Sequence, residues 1–144
     1  MTPDRLPRAP LAAELLTSAL DDLSAVHLVG TRCDTCHEGH FGRHALCPNC
    51  ASSEVATMVL SDRGVLHTFT VVRHRPPGDR SEPFRPFGIG LVELEEGVRV
   101  MAPLKAEVAD LQIGMPLALA PFVVRIDEEG REIVGFAYRP ESWS

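Results

Sequence analysis

Two cysteine knuckles constrain this chain more than any other feature: Cys33-Asp34-Thr35-Cys36 and Cys47-Pro48-Asn49-Cys50, ten residues apart. They contain all four cysteines of the 144-residue sequence. Two CxxC pairs at short separation place four thiolates tetrahedrally around one zinc ion, at about 2.3 Å each. A site closed by four thiolates has no open position for water or substrate, so the metal is a staple and carries out no chemistry. Spacing, pairing and count thus point to Cys33, Cys36, Cys47 and Cys50 as ligands of a structural Zn2+.

The rival reading is two disulfides, which suit a secreted domain. The start, MTPDRLPRAPLAAELLTSAL, mixes Arg5 and Arg8 with Asp4 and Glu14. It has neither the continuous apolar core nor the small-residue cleavage site of a signal peptide. No stretch approaches the roughly 18–20 apolar residues of a membrane span. The expectation is a cytoplasmic protein that does not engage a membrane, where paired cysteines favour metal.

The length allows one domain, or one domain with a small attachment, and 44% hydrophobic residues are enough for a core. A net charge of −6 argues against a nucleic-acid binder, whose affinity comes mainly from neutralising phosphates. Thirteen of the basic side chains are arginine and one is lysine, a ratio that compositional bias explains.

Along the chain, residues 1–27 read as a proline-bearing arm and an amphipathic helix. Leu11, Leu15, Leu16, Ala19, Leu20 and Leu23 recur at helical spacing. Residues 28–54 hold the knuckles, with short strands at Leu28 to Arg32 and Phe41 to Leu46. His37, His40 and His44 between the knuckles read as exposed loop residues, with replacement of a cysteine ligand or a second weak metal site as the rival. Residues 55–144 change to β grammar. VATMVLS, VLHTFTVVRH, FGIGLVELE, VRVMAPL, PLALAPFVV and EIVGFAYR are strand-length runs separated by Gly, Pro and Asp turns. Five or six short antiparallel strands suit a small Greek-key barrel. The longest irregular stretch, Arg73 to Phe87, holds four arginines, Arg73, Arg75, Arg80 and Arg85, and reads as a binding loop.

No GxSxG elbow, phosphate loop or GxGxxG turn is present. Gly88-Ile89-Gly90 sits inside a strand run and reads as close backbone packing. With every cysteine committed to metal, none remains as a nucleophile. His67 and His74 are the remaining candidates for a general base and have no visible partner.

The order of these segments is itself informative. A leucine-rich start runs into LVGTRCDTC, CPNC and LSDRGVLHTFTVV. A proline-rich loop, PFGIGLVELEEGVRV, IGMPLAL and GFAYRP follow. From about Leu11 to Pro140 this resembles the rubredoxin-like zinc-ribbon/OB-fold family, long listed as a domain of unknown function and associated with acyl-CoA metabolism. The resemblance implies a mainly β fold: an N-terminal helix, a zinc ribbon, then a small OB-like barrel. It matches Cys33, Cys36, Cys47 and Cys50 to the metal ligands. Gly64, Thr68, Thr70, Gly90 and Gly97 match the barrel signature. One departure is His37, where family ribbons often carry glycine directly after the second cysteine.

The resemblance also implies a role. Such proteins accompany thiolase-superfamily enzymes, including thiolases, synthases and aldolases, or hot-dog-fold enoyl-CoA hydratases, in hetero-oligomers of lipid or sterol metabolism. The expectation is a non-catalytic subunit that holds acyl-CoA. Arg73, Arg75, Arg80 and Arg85 would face its phosphates. Leu11, Leu15, Leu16, Ala19 and Leu23 would dock the catalytic partner. The competing classes are a nucleic-acid-binding ribbon/OB module, disfavoured by charge, and a stand-alone hydrolase or hydratase using His67 or His74, disfavoured by the missing nucleophile.

Overall fold

Strand alternation builds nearly everything seen. In a computed structural model, the residues described are 8–12, 15–17, 20, 22–75, 77 and 84–141. They form nine strands: β1 (Ala9–Pro10), β2 (Val29–Cys33), β3 (Gly39–Phe41), β4 (Val55–Val59), β5 (Arg63–Val72), β6 (Phe87–Leu94), β7 (Arg99–Leu104), β8 (Pro116–Ile126) and β9 (Glu132–Pro140). In β6 and β7 every second residue is buried, so Val92, Leu94, Val100, Ala102 and Leu104 line one face.

Strands β5 to β9 close on themselves. β5 pairs with β6, β6 with β7, β7 with β9, β9 with β8 and β8 with β5. All are antiparallel except the short β7–β9 bridge at Leu104 and Tyr138. This is a five-stranded Greek-key barrel of the OB type. Closure needs strong local curvature, and the register slips at Leu66/Thr68 in β5 and at Val123/Arg125 in β8 supply it. Close approach across the barrel explains Gly90: a Cβ there would lie 2.6 Å from Leu66 Cδ1. The expectation of close packing in Gly88-Ile89-Gly90 thus has a physical basis.

A second sheet, ordered β3-β2-β4, carries the cysteine knuckles. Here a sequence expectation needs correcting. Val55–Val59 read as the opening strand of the barrel, but β4 pairs along its whole length with β2. Alternation identifies a strand and not its partner.

The N-terminal helix is also corrected: the described residues of that segment hold no α-helix. Ala9 and Pro10 pair in parallel with Ile133 and Val134 of β9. Leu16 bridges Leu28, flanked by Thr17 N–H to His27 O at 2.9 Å and Val29 N–H to Leu15 O at 2.8 Å. A single 3-10 turn at Leu23–Ala25 is capped by the Asp22 carboxylate. Pairing satisfies this backbone where a short helix would be marginal in water.

Part of the leucine stripe is buried all the same. Leu16 and Leu20 are 3% and 5% exposed and join Val26, Leu28 and Leu60 in one core cluster with the barrel interior. Leu15 and Leu23 pack against that cluster. Leu16 therefore has abundant intrachain partners, contrary to the expectation of an open helical face. Leu11 is 57% exposed, and Ala19 lies outside the described residues.

Candidate metal centre

The two knuckles repeat one backbone design. In the first, the amides of Thr35 and Cys36 point at Cys33 Sγ, at 3.3 and 3.4 Å. In the second, the amides of Asn49 and Cys50 point at Cys47 Sγ, at 3.3 and 3.4 Å. Each turn closes with a bond from the residue after its second cysteine, His37 N–H to Cys33 O and Ala51 N–H to Cys47 O. His37 and Ala51 accordingly hold φ of 66° and 64°. This left-handed region favours glycine, which gives the His37 departure a physical meaning.

The four sulfurs converge, with all Sγ atoms within 4.8 Å of one another. Cys33 to Cys50 and Cys36 to Cys47 are each 3.6 Å apart. Four sulfurs at 2.3 Å from one tetrahedral ion would be separated by about 3.8 Å. A disulfide needs about 2.05 Å, and all four thiols are free. The separation fits a shared cation.

Electrostatics point the same way. The Cys36 amide holds the Cys33 thiol down to about 6. The Asn49 side chain, Nδ2 3.6 Å from the sulfur, lowers Cys36. The Ser52 amide favours the Cys50 thiolate, yet desolvation and the three neighbouring sulfurs push that thiol up to about 12. Several thiolates cannot share this space without a positive charge between them. These residues fit a divalent ion of the zinc type, and four sulfurs would close its coordination shell.

Around the sulfurs, Thr31 Oγ1 donates to Gly42 O at 2.7 Å and accepts from His44 N–H, fixing the return of the chain from β3. His44 Nε2 meets Phe41 O at 2.8 Å. His40, expected in an exposed loop, is half-buried with Nε2 3.6 Å from Cys47 Sγ. That contact was hidden in the sequence because β3 pairing with β2 creates it. His37 is exposed.

The remaining candidates lie elsewhere. His67, at the β5 register slip, and His74 are exposed. Arg73, Arg75 and Arg85 are exposed at the mouth of the β5–β6 connection, while Arg80 lies outside the described residues. The Arg75 guanidinium stands 5.9 Å from the Phe84 ring centre across that mouth.

Three further features escaped the sequence reading. His27 Nδ1 lies 2.7 Å from Asp62 Oδ1, joining positions 35 apart. Beside it a groove of about 640 Å³ runs between the 3-10 turn, β8 and β9, with Arg63, Arg139 and Glu141 on its wall. A smaller apolar groove of about 280 Å³ lies among Leu11, Met101, Phe122, Val124 and Phe136. Met101 is 69% exposed there.

An OB-type barrel joined to a four-cysteine cluster defines the class, and comparison with known proteins narrows it. A family model for the C-terminal OB-fold domain of ChsH2 matches residues 58–123. A DUF35 domain-containing scaffold protein of Pyrococcus furiosus is 33% identical over 117 residues, covering 78% of this chain and 82% of that one. The chain belongs to the DUF35 family. It is also 26% identical to the benzoylsuccinyl-CoA thiolase subunit BbsA of Thauera aromatica, over 95% of this chain and 92% of that one. Among solved structures, an Ltp2-ChsH2(DUF35) aldolase is 30% identical with a TM-score of 0.59, covering 79% of this chain and 84% of that one.

Proposed function

We propose that this chain is a non-catalytic accessory subunit of a thiolase-superfamily enzyme, of thiolase or aldolase type, in acyl-CoA metabolism. One observation carries the reading: the likeness to a thiolase subunit extends over 95% of the chain. The meeting of all four cysteines in one cluster supports it. Thiolase chemistry needs a reactive thiolate, and a metal-bound cysteine is a poor one. The catalytic cysteine and its bases would come from the partner.

In this reading Cys33, Cys36, Cys47 and Cys50 hold structural zinc, whose binding energy is folding energy for β2, β3 and the knuckles. The metal supplies rigidity and no reaction step. A reducing, cytoplasmic compartment suits such a site. Arg73, Arg75 and Arg85 support an acyl-CoA role for the β5–β6 mouth. Guanidinium forks suit the diphosphate and 3′-phosphate of the carrier, and Arg80 belongs to the same proposal. Docking of the partner falls to the apolar groove with Leu11 and Leu15 in its lining, and Leu23, in the 3-10 turn, lines the larger groove. Leu16 serves the core.

Titration calorimetry with an acyl-CoA tests the ligand half. Arg73→Ala with Arg75→Ala should weaken binding roughly tenfold or more, as expected when charge-assisted bonds are lost. Unchanged affinity would remove these arginines from the site.

A further inference from the structure

Among the described residues, strand β4 is the outer member of its sheet and pairs only with β2. Leu60 N–H donates to Leu28 O at 2.9 Å, so position 60 turns its backbone towards β2. Antiparallel alternation gives Met58 and Ala56 the same orientation, and turns the backbone groups of Thr57 and Val59 outward. Among the described residues those outward groups have no backbone partner.

Natural edge strands are usually protected by charge, proline or a bulge. None occurs between Val55 and Leu60, where the sequence is Val-Ala-Thr-Met-Val-Leu. Ala56 and Thr57 are exposed, and Val59 is 58% exposed.

We propose that this edge pairs antiparallel with the same edge of a second copy of the chain, about a twofold axis at Thr57. The occupant follows from the strand itself, which is self-complementary. In that register Thr57 faces Thr57 of the copy, Val55 faces Val59, and Ala56 faces Met58. Thr–Thr and β-branched pairs are favourable cross-strand neighbours. The hydrogen bonds fit as well. The two Thr57 residues exchange both of theirs, and each Val59 N–H meets a Val55 carbonyl. The Val55 N–H, already bonded to Ser53 O, ends the ladder.

Charge is consistent with a copy as occupant. A chain of net charge −6 repels its own copy at long range, a repulsion that salt screens and that like charges at the contact would add to. Here Glu54 faces Leu60, Ser53 faces Ser61 and Ser52 faces Asp62, so no like charges meet. A strand pair alone buries less than the ~1,200 Å² of a standard interface, which makes the association concentration-dependent.

Sedimentation equilibrium of the zinc-loaded chain across a wide concentration range tests this. The weight-average mass should rise from one chain towards two. Thr57→Pro removes an outward N–H and no bond to β2, a position where a strand tolerates proline. It should weaken association about tenfold or more with zinc content and strand signal intact. Val59→Lys should do the same without touching the backbone. A chain that stays monomeric throughout would overturn the proposal. So would association untouched by both variants, or an edge that pairs only with a different protein.

Discussion

His37 and Ala51 stand at the same place in two successive knuckles, and both hold a backbone conformation that L side chains adopt at a cost. Left-handed geometry costs roughly 1–2 kcal/mol for an ordinary residue and little for glycine. Glycine loses part of that advantage through its freer unfolded chain. His37→Gly should therefore stabilise the zinc-loaded protein by about 1 kcal/mol, measured by urea unfolding. The bonds His37 N–H to Cys33 O and Arg32 Nη1 to His37 O use only backbone atoms of position 37 and survive the change. At this scale much was legible. The four cysteines are recognisable from spacing because the turn geometry is local. The His40–Cys47 contact and the His27–Asp62 pair were not, because long-range pairing creates them.

At the scale of elements, legibility followed from how locally each one is determined. The barrel strands β5 to β9 are each announced by a strand-length run rich in β-branched and apolar residues between turn residues. The N-terminal leucines have helical spacing, yet they meet the core through bridging with Leu28. Spacing reports which residues are buried and leaves the backbone conformation open. Val55–Val59 is recognisable as a strand, but its neighbour is chosen by the knuckle geometry that brings β2 alongside. Cys36→Ser should abolish metal binding and disorder β2, β3 and the knuckles while much of the far-ultraviolet strand signal of the barrel persists. Metal analysis combined with circular dichroism checks this, and retention of one zinc would contradict it.

The β8–β9 hairpin allows a test by pH. Its turn is organised by Asp127, whose carboxylate accepts from the amides of Arg131 and Glu129 and from Arg131 Nε. The Arg131 amide is the main reason the Asp127 carboxyl is held below its usual range. A depressed carboxyl contributes stability above the unfolded-state value and loses it as pH falls through the folded one. Asp127→Asn should lower stability at neutral pH and flatten the acid-side loss. Equal acid sensitivity in urea unfolding of the two proteins would refute this role.

The whole molecule is held by one continuous core. The barrel interior, the N-terminal leucines and the base of the cysteine-bearing sheet meet at Leu16, Leu28, Leu60 and Leu66. Burial of this kind makes the cysteine-bearing sheet part of the barrel's support, so a zinc staple would stiffen a surface beside the apolar groove that Phe41 of β3 lines, where a partner would sit. The four cysteines meet in one cluster, and that arrangement is the strongest physical argument for a subunit that assists a catalyst elsewhere. The most direct measurement is affinity purification of the full chain from its native cells, with identification of co-eluting subunits and assay of acyl-CoA turnover by the complex and by the chain alone. The expected result is a thiolase-superfamily subunit in stoichiometric amount, with turnover only in the complex. Turnover of an acyl-CoA thioester by the isolated chain, or purification without any such subunit, would contradict the account.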